Sequence, residues 1–221
     1  MNSSRVIGAA AIAVLVGAPS IAGAQQFGPF DYYDPPQGAI AVVERVHFGP
    51  RTELYALRGS WCAYWFDLNY TLQAFPNHPK ALVVMSEFLE KHRPCTEQIL
   101  KERSSPLEAA RELGSGSWEE RNADYYFRKG IEFRPKQIEA RVLYGSYLRQ
   151  KGRTKEALRE LTAAQKIMPN SADVHYQLGM VYLDIGDSNL ALEHARKAYS
   201  LGKPPADLKT KLIEAKLWKN S

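Results

Sequence analysis

Residues 138–171 (IEARVLYGSYLRQKGRTKEALRELTAAQKIMPNS) and 172–205 (ADVHYQLGMVYLDIGDSNLALEHARKAYSLGKPP) superpose in a register of 34 residues. Tyr144-Gly145 falls on Leu178-Gly179, Leu148 on Tyr182, Gly152 on Gly186, Ala157 on Ala191 and Ala164 on Ala198. Each copy reads helix, short glycine turn, helix, and Thr154, Ser171 and Asp187 stand where N-caps belong. The matched small residues have a mechanical meaning. Gly145 and Gly179 leave room where two helices of a hairpin cross, Ala157 and Ala191 do the same on the facing helix, and Leu148 and Tyr182 fill the space beside that contact.

The pattern resembles the tetratricopeptide repeat, which runs W-x₂-L-G-x₂-Y, then A-x₃-F, then P. His175-x₂-Leu178-Gly179-x₂-Tyr182 and Ala191-x₃-Ala195 follow it, with His175 and Ala195 in place of the two aromatics. Arg141-x₂-Tyr144-Gly145-x₂-Leu148, Ala157-x₃-Leu161 and Pro169 follow it with more substitution. One period upstream, Ala123-x₃-Phe127 and Pro135 supply the second helix of a further repeat. Its first helix is expected at residues 81–91, with Met85-Ser86 in the close-crossing slot and about 25 residues, Cys95 through Ser117, inserted inside the repeat. The resemblance implies an all-α fold, a helical-hairpin solenoid of about three repeats spanning residues 61–221.

A solenoid of this kind lines a groove with the first helix of each hairpin, on the face opposite its close-crossing glycine. The expected partner-binding residues are Val142, Ser146 and Arg149 in one repeat and Tyr176, Met180 and Leu183 in the next, with Val83, Glu87 and Lys91 extending the row. The occupant would be a peptide or a partner helix. An alternative reading has Tyr176 and Met180 covered by the N-terminal arm. Members that grip acidic peptide ends use several basic and Asn side chains, and here only Arg149 and Lys91 stand in the row.

The flanks carry their own signals. Arg5, the apolar run of 13 residues at 6–18, Pro19 and Ala22-Gly23-Ala24 before Gln25 have the three parts of a secretory signal peptide, residues 1–24. The run falls short of the ~20 apolar residues of a spanning helix. The expected address is the periplasm, with secretion as second choice. Residues 25–60 form an aromatic, proline-rich arm, extended at its start. A short strand is expected at residues 39–47 and a short helix at 50–57. The arm either packs Phe27, Phe30, Tyr32 and Phe48 over the first hairpin or serves as a recognition tail. At the other end, Pro204-Pro205 opens a capping helix over residues 205–218, with Leu208, Leu212, Ile213, Leu217 and Trp218 on one stripe and Lys209, Lys211, Lys216 and Lys219 facing water.

In an exported chain two cysteines tend to pair. Residues 66–75 and 81–91 read as helices folded antiparallel about Pro76-Asn77-His78-Pro79, which brings Cys62 towards Cys95. A disulfide there would stabilise by about 3–4 kcal/mol in the chain-entropy model. The rival is a metal or redox site using Cys62, Cys95, His92 and His78. Two further helix starts are marked by capping boxes at Ser105 and Ser117.

Without residues 1–24 the chain carries 28 basic and 24 acidic side chains, too mild an excess to point to nucleic acid. The excess gathers near the C-terminus, a solvated face or a weak contact for anionic lipid. There is no G-x-x-x-x-G-K, G-x-S-x-G, H-E-x-x-H or EF-hand loop. His175 is expected to pack and His194 to face a neighbouring helix or water. The reading is an exported, non-catalytic protein-interaction module with no metal or cofactor.

Overall fold

The computed structural model describes residues 28–49, 61–91, 122–202 and 204–218, with the side chains of residues 61–63 and 66 excepted. The export segment, Phe27, the helix expected at 50–57, His92, the Cys62–Cys95 pair and the helix starts at Ser105 and Ser117 lie outside that description. The described residues form helices α1 (Ala39–Val46), α2 (Trp61–Ala74), α3 (Pro79–Lys91), α4 (Ala123–Phe133), α5 (Glu139–Gln150), α6 (Thr154–Ile167), α7 (Ala172–Asp184), α8 (Ser188–Leu201) and α9 (Asp207–Glu214). The expected all-α solenoid is the architecture observed: α3/α4, α5/α6 and α7/α8 are successive hairpins. None of the described helices is long and apolar enough to cross a membrane.

The hairpins repeat because the same backbone events recur. Gly152 (φ +70°) and Gly186 (φ +81°) take the left-handed conformation that ends a first helix. Arg153 N–H then reaches back to Leu148 O and Asp187 N–H to Tyr182 O, both at 2.9 Å. Ser171 accepts from Val174 N–H and Asp187 from Leu190 N–H, as N-caps do. Thr154 does not. It is the first residue of α6, Arg153 precedes it, and the Arg153 guanidinium holds Asp124 of α4 and Glu156, each at 2.8 Å.

Gly145 and Gly179 mark close approaches: Gly145 lies against Leu161 rather than Ala157, and Gly179 against the backbone of the expected Ala191 as well as Leu208. A Cβ on Gly145 would lie 2.5 Å from Cγ of Leu161, and one on Gly179 would lie 2.8 Å from Cδ2 of Leu208 in α9. One continuous core runs from α2 to α7. Trp65, Leu82, Tyr144 and Leu161 are sealed within it, and Phe127 stacks on Tyr144 at 5.2 Å.

Three elements depart from the sequence expectations. Residues 39–46 form a helix rather than a strand. Among the described residues no neighbouring strand is there to take up backbone bonds, whereas a helix satisfies them internally and turns Ala39 and Val43 inward together. α4 begins at Ala123 because Asn122, in extended conformation, accepts the Tyr125 N–H. α9 stops at Glu214, since Lys216 has φ 58° and the chain turns back, Leu217 N–H bonding to Leu212 O. Ile213 is thereby left half exposed, and Lys209 covers the Trp218 ring at 5.1 Å rather than standing free in water.

The arm lies on the first hairpin turns. Phe30 packs against Phe75 at 5.8 Å, and Tyr32 and Phe48 flank the buried His78 at 4.4 and 4.8 Å. Asn77 accepts from Tyr32 N–H and donates to both Asp31 and Gln137. Arg134 donates to Asp31 at 2.7 Å, so the arm joins the turn before α3 to the turn before α5. Burial pushes the Asp31 carboxyl up, but the hydrogen bonds from Arg134, Asn77, Tyr33 N–H and Gln137 outweigh it and hold the group at about 2.

Candidate partner-binding groove

The first helices lie side by side: α5 touches both α3 and α7, and α7 touches α9. Each turns its crossing position inward against the core, Ser86 on α3, Gly145 on α5 and Gly179 on α7, all buried. The residues on the other face form the expected row. Val83, Val142, Ser146 and Leu183 are partly buried, while Glu87 and Lys91 are exposed.

The row is not open throughout. Tyr176 and Met180, expected on an accessible groove, are 8 % and 2 % exposed. They are sealed in a cluster with Leu208 and Leu212 of α9, and the Tyr176 hydroxyl donates to Asp207. Burial and then Asp207 push the Tyr176 phenol well above its ordinary range. Among the described residues, the element that covers this pair is therefore the C-terminal helix rather than the N-terminal arm. Arg149 is also committed, donating to Asp184 on α7 at 2.9 Å with only 16 % of its side chain exposed. That ion pair ties α5 to α7 and removes one of the two cations that an acidic ligand would have met. Glu90 of α3 pairs with Lys151, and burial together with Glu90 pushes the nearby Tyr147 phenol up to about 12.

Among the described residues, the part of the row that keeps exposed or partly exposed side chains is contributed by α3 and α5. Its floor is aliphatic, from Val83, Val84, Val142 and Leu143, all partly buried. Its rim is polar, from Glu87, Lys91, Ser146 and Gln150. This arrangement can hold apolar side chains along a peptide, with polar groups alongside. Among the described residues no group of three or more side chains is placed to hold a metal ion.

Sequence reasoning missed the register of α2. Its buried Tyr64, Leu68 and Thr71 have the spacing of Ala123/Phe127/Gly130, Ala157/Leu161/Ala164 and Ala191/Ala195/Ala198, and Pro76 follows Thr71 as Pro135 follows Gly130. α2 is thus a second helix, and α2–α3 is the junction between two hairpins. Only the proline and the spacing signalled it, because Tyr64 and Thr71 stand where small residues recur elsewhere.

Residues 145–186 match the family model described as TPR repeat, and residues 172–201 match the model described as tetratricopeptide repeat. The chain carries tetratricopeptide repeats. Solved structures of such proteins are similar to it at low identity. MamA of strain MSR-1 is 20% identical over 74% of this chain and 84% of that one, with a TM-score of 0.41. YrrB, described as a TPR protein with an unusual peptide-binding site, is 18% identical over 81% of this chain and 98% of its own, at 0.37. A thermophilic TPR protein of Thermus thermophilus is 16% identical over 80% and 99%, at 0.39. No curated protein matches the chain. In the tetratricopeptide-repeat pattern His175 occupies the slot of the first aromatic, and it is buried as that aromatic would be.

Proposed function

We propose that the chain is an exported, non-catalytic interaction module that holds a peptide or a partner helix along α3 and α5, within the bacterial envelope. The observation that carries this reading is the partly exposed aliphatic row of Val83, Val84, Val142 and Leu143 among the described residues, beside a final repeat already occupied by α9. The occupant is a segment with apolar side chains at helical or extended spacing, and Glu87 favours a basic neighbour on it. Membership of the repeat family supports interaction as the mode of action.

The test is capture from native envelopes by cross-linking, comparing the wild type with Val142→Arg/Ser146→Arg. Both side chains are only partly buried, so the fold should survive, which circular dichroism checks. Loss of the captured species with helicity retained is expected. An unchanged cross-linking pattern would reject the groove. Export is tested separately by the N-terminal sequence of the protein recovered from cells. It should begin at Gln25, and recovery of the uncleaved chain from the cytosol would reject the address.

A further inference from the structure

A separate cavity of about 550 Å³ opens between α8 and the turn that joins α6 to α7. His175 and His194 line it, together with Glu193, Arg196, Lys197 and Ser200 of α8. The two imidazoles are fixed in one tautomeric arrangement. His175 Nε2 lies 2.9 Å from the Pro169 carbonyl oxygen, which only accepts, so this nitrogen carries the proton and Nδ1 carries a lone pair. His194 Nδ1, 2.8 Å from that lone pair, must donate to it. One ring nitrogen remains. Nε2 of His194 is an unprotonated acceptor with no hydrogen bond among the described residues, on a residue only 8 % exposed and stacked against Tyr182 at 5.3 Å. The atom itself is not sealed from solvent, so on a residue that lines the cavity it is an acceptor within reach of a donor entering there.

The charges say what kind of donor. Arg196 and Lys197 are exposed at the mouth of the cavity and have no ion pair among the described residues, and Glu193 is the one carboxylate in the lining. The balance favours an anion. The two rings hydrogen-bond to each other at 2.8 Å, and among the described residues no group of three or more side chains is placed to hold a metal ion.

We propose that this cavity binds an oxyanion that still carries a proton, with hydrogen phosphate as the prototype: Arg196 and Lys197 take its charged oxygens and its P–OH donates to Nε2 of His194. Sulfate has no such proton near neutrality, and a lipid phosphodiester has none either. Discrimination therefore rests on the hydrogen bond to His194. The groups facing that imidazole are His175 and Tyr182 from α7, and Glu193, Arg196 and Lys197 from its own helix. Burial and His175 hold His194 below its ordinary range, so it stays an acceptor at neutral pH. In acid it gains the proton, becomes a donor and admits sulfate as well.

The experiment titrates the purified protein with inorganic phosphate, with sulfate and with phosphatidylglycerol vesicles, at about pH 8 and at steps of falling pH. Affinity is read by calorimetry and the His194 imidazole nitrogens by NMR. Phosphate should bind at least about tenfold more tightly than sulfate at the higher pH, should shift the His194 Nε2 resonance, and should lose that advantage once the same resonances show the imidazole protonated. Arg196→Ala/Lys197→Ala, which changes only exposed side chains, should weaken phosphate about tenfold, and His194→Phe should abolish the discrimination. Should His194→Phe fail to fold, the surface pair and the wild-type resonance decide the matter. Equal affinity for phosphate and sulfate at about pH 8, or an unmoved His194 resonance, would overturn the proposal. So would vesicle binding that phosphate displaces, which would assign the cavity to a lipid phosphodiester.

Discussion

At Gly145 the backbone of α5 lies so close to α6 that an added methyl carbon would meet the branch point of Leu161, a side chain with no exposed surface and nowhere to move. Alanine gains about 1 kcal/mol of helix propensity over glycine in an open helix. Overpacking a sealed core costs about 1–3 kcal/mol, and here the overlap is severe. Gly145→Ala should therefore lower the thermal midpoint, and a raised midpoint would show that the two helices can part at little cost. His78 makes a second prediction at this scale. Its Nδ1 accepts from Ala81 N–H, so it caps α3 in the neutral form, and its Nε2 stands 3.3 Å from Glu44 without completing a hydrogen bond. Burial drives its pKa down to about 4 from 6.5. The unfolded chain takes up this proton near 6.5 and the folded chain does not. Stability is thus full above that value and falls as the pH drops towards 4, by about 3 kcal/mol. His194 is shifted in the same direction and adds to the slope. Urea unfolding across that range should show the loss, and His78→Asn, which keeps a capping acceptor but does not titrate, should flatten most of it.

Among the elements, α9 is short but closes over the last repeat. It is only eight residues long, yet Leu208 and Leu212 are wholly buried and close over Tyr176 and Met180. Leu208→Ala should cost about 2–4 kcal/mol in urea unfolding, because Leu208 also fills the space left open at Gly179. Ile213→Ala, on the same helix but 49 % exposed, should cost less than about 0.5 kcal/mol. Similar losses at both positions would mean that α9 is held by something other than its apolar stripe. This helix also explains why only part of the groove was legible. The period of 34 placed Tyr176 and Met180 correctly on the row of first helices, but nothing in that period says how near a following helix will come. Arg149 shows the same limit, since its partner Asp184 is 35 residues away and belongs to the next repeat. The helix α1 was illegible for another reason. A β-branched run with no strand partner folds according to its surroundings, and local preference pointed the other way.

Taken whole, the molecule is a row of hairpins in which each element touches chiefly its neighbours. That regularity is why glycines, alanines and prolines at fixed spacing sufficed to read α4 to α8 from the sequence. The link between the first hairpins follows a different plan. Asn69 meets the Tyr126 hydroxyl at 3.0 Å, Asn77 meets Gln137, and Asp31 meets Arg134, all across the stretch of chain at 92–121. These contacts, with the packing of α3 on α4 and α5, do not depend on the peptide bonds in between. A protease cut placed within residues 92–121 should accordingly leave two polypeptides that migrate as one species in gel filtration and separate only in denaturant. Expressed from two genes, the halves should find each other. Covalent continuity at that point is a convenience of synthesis, and the join itself is made by side chains.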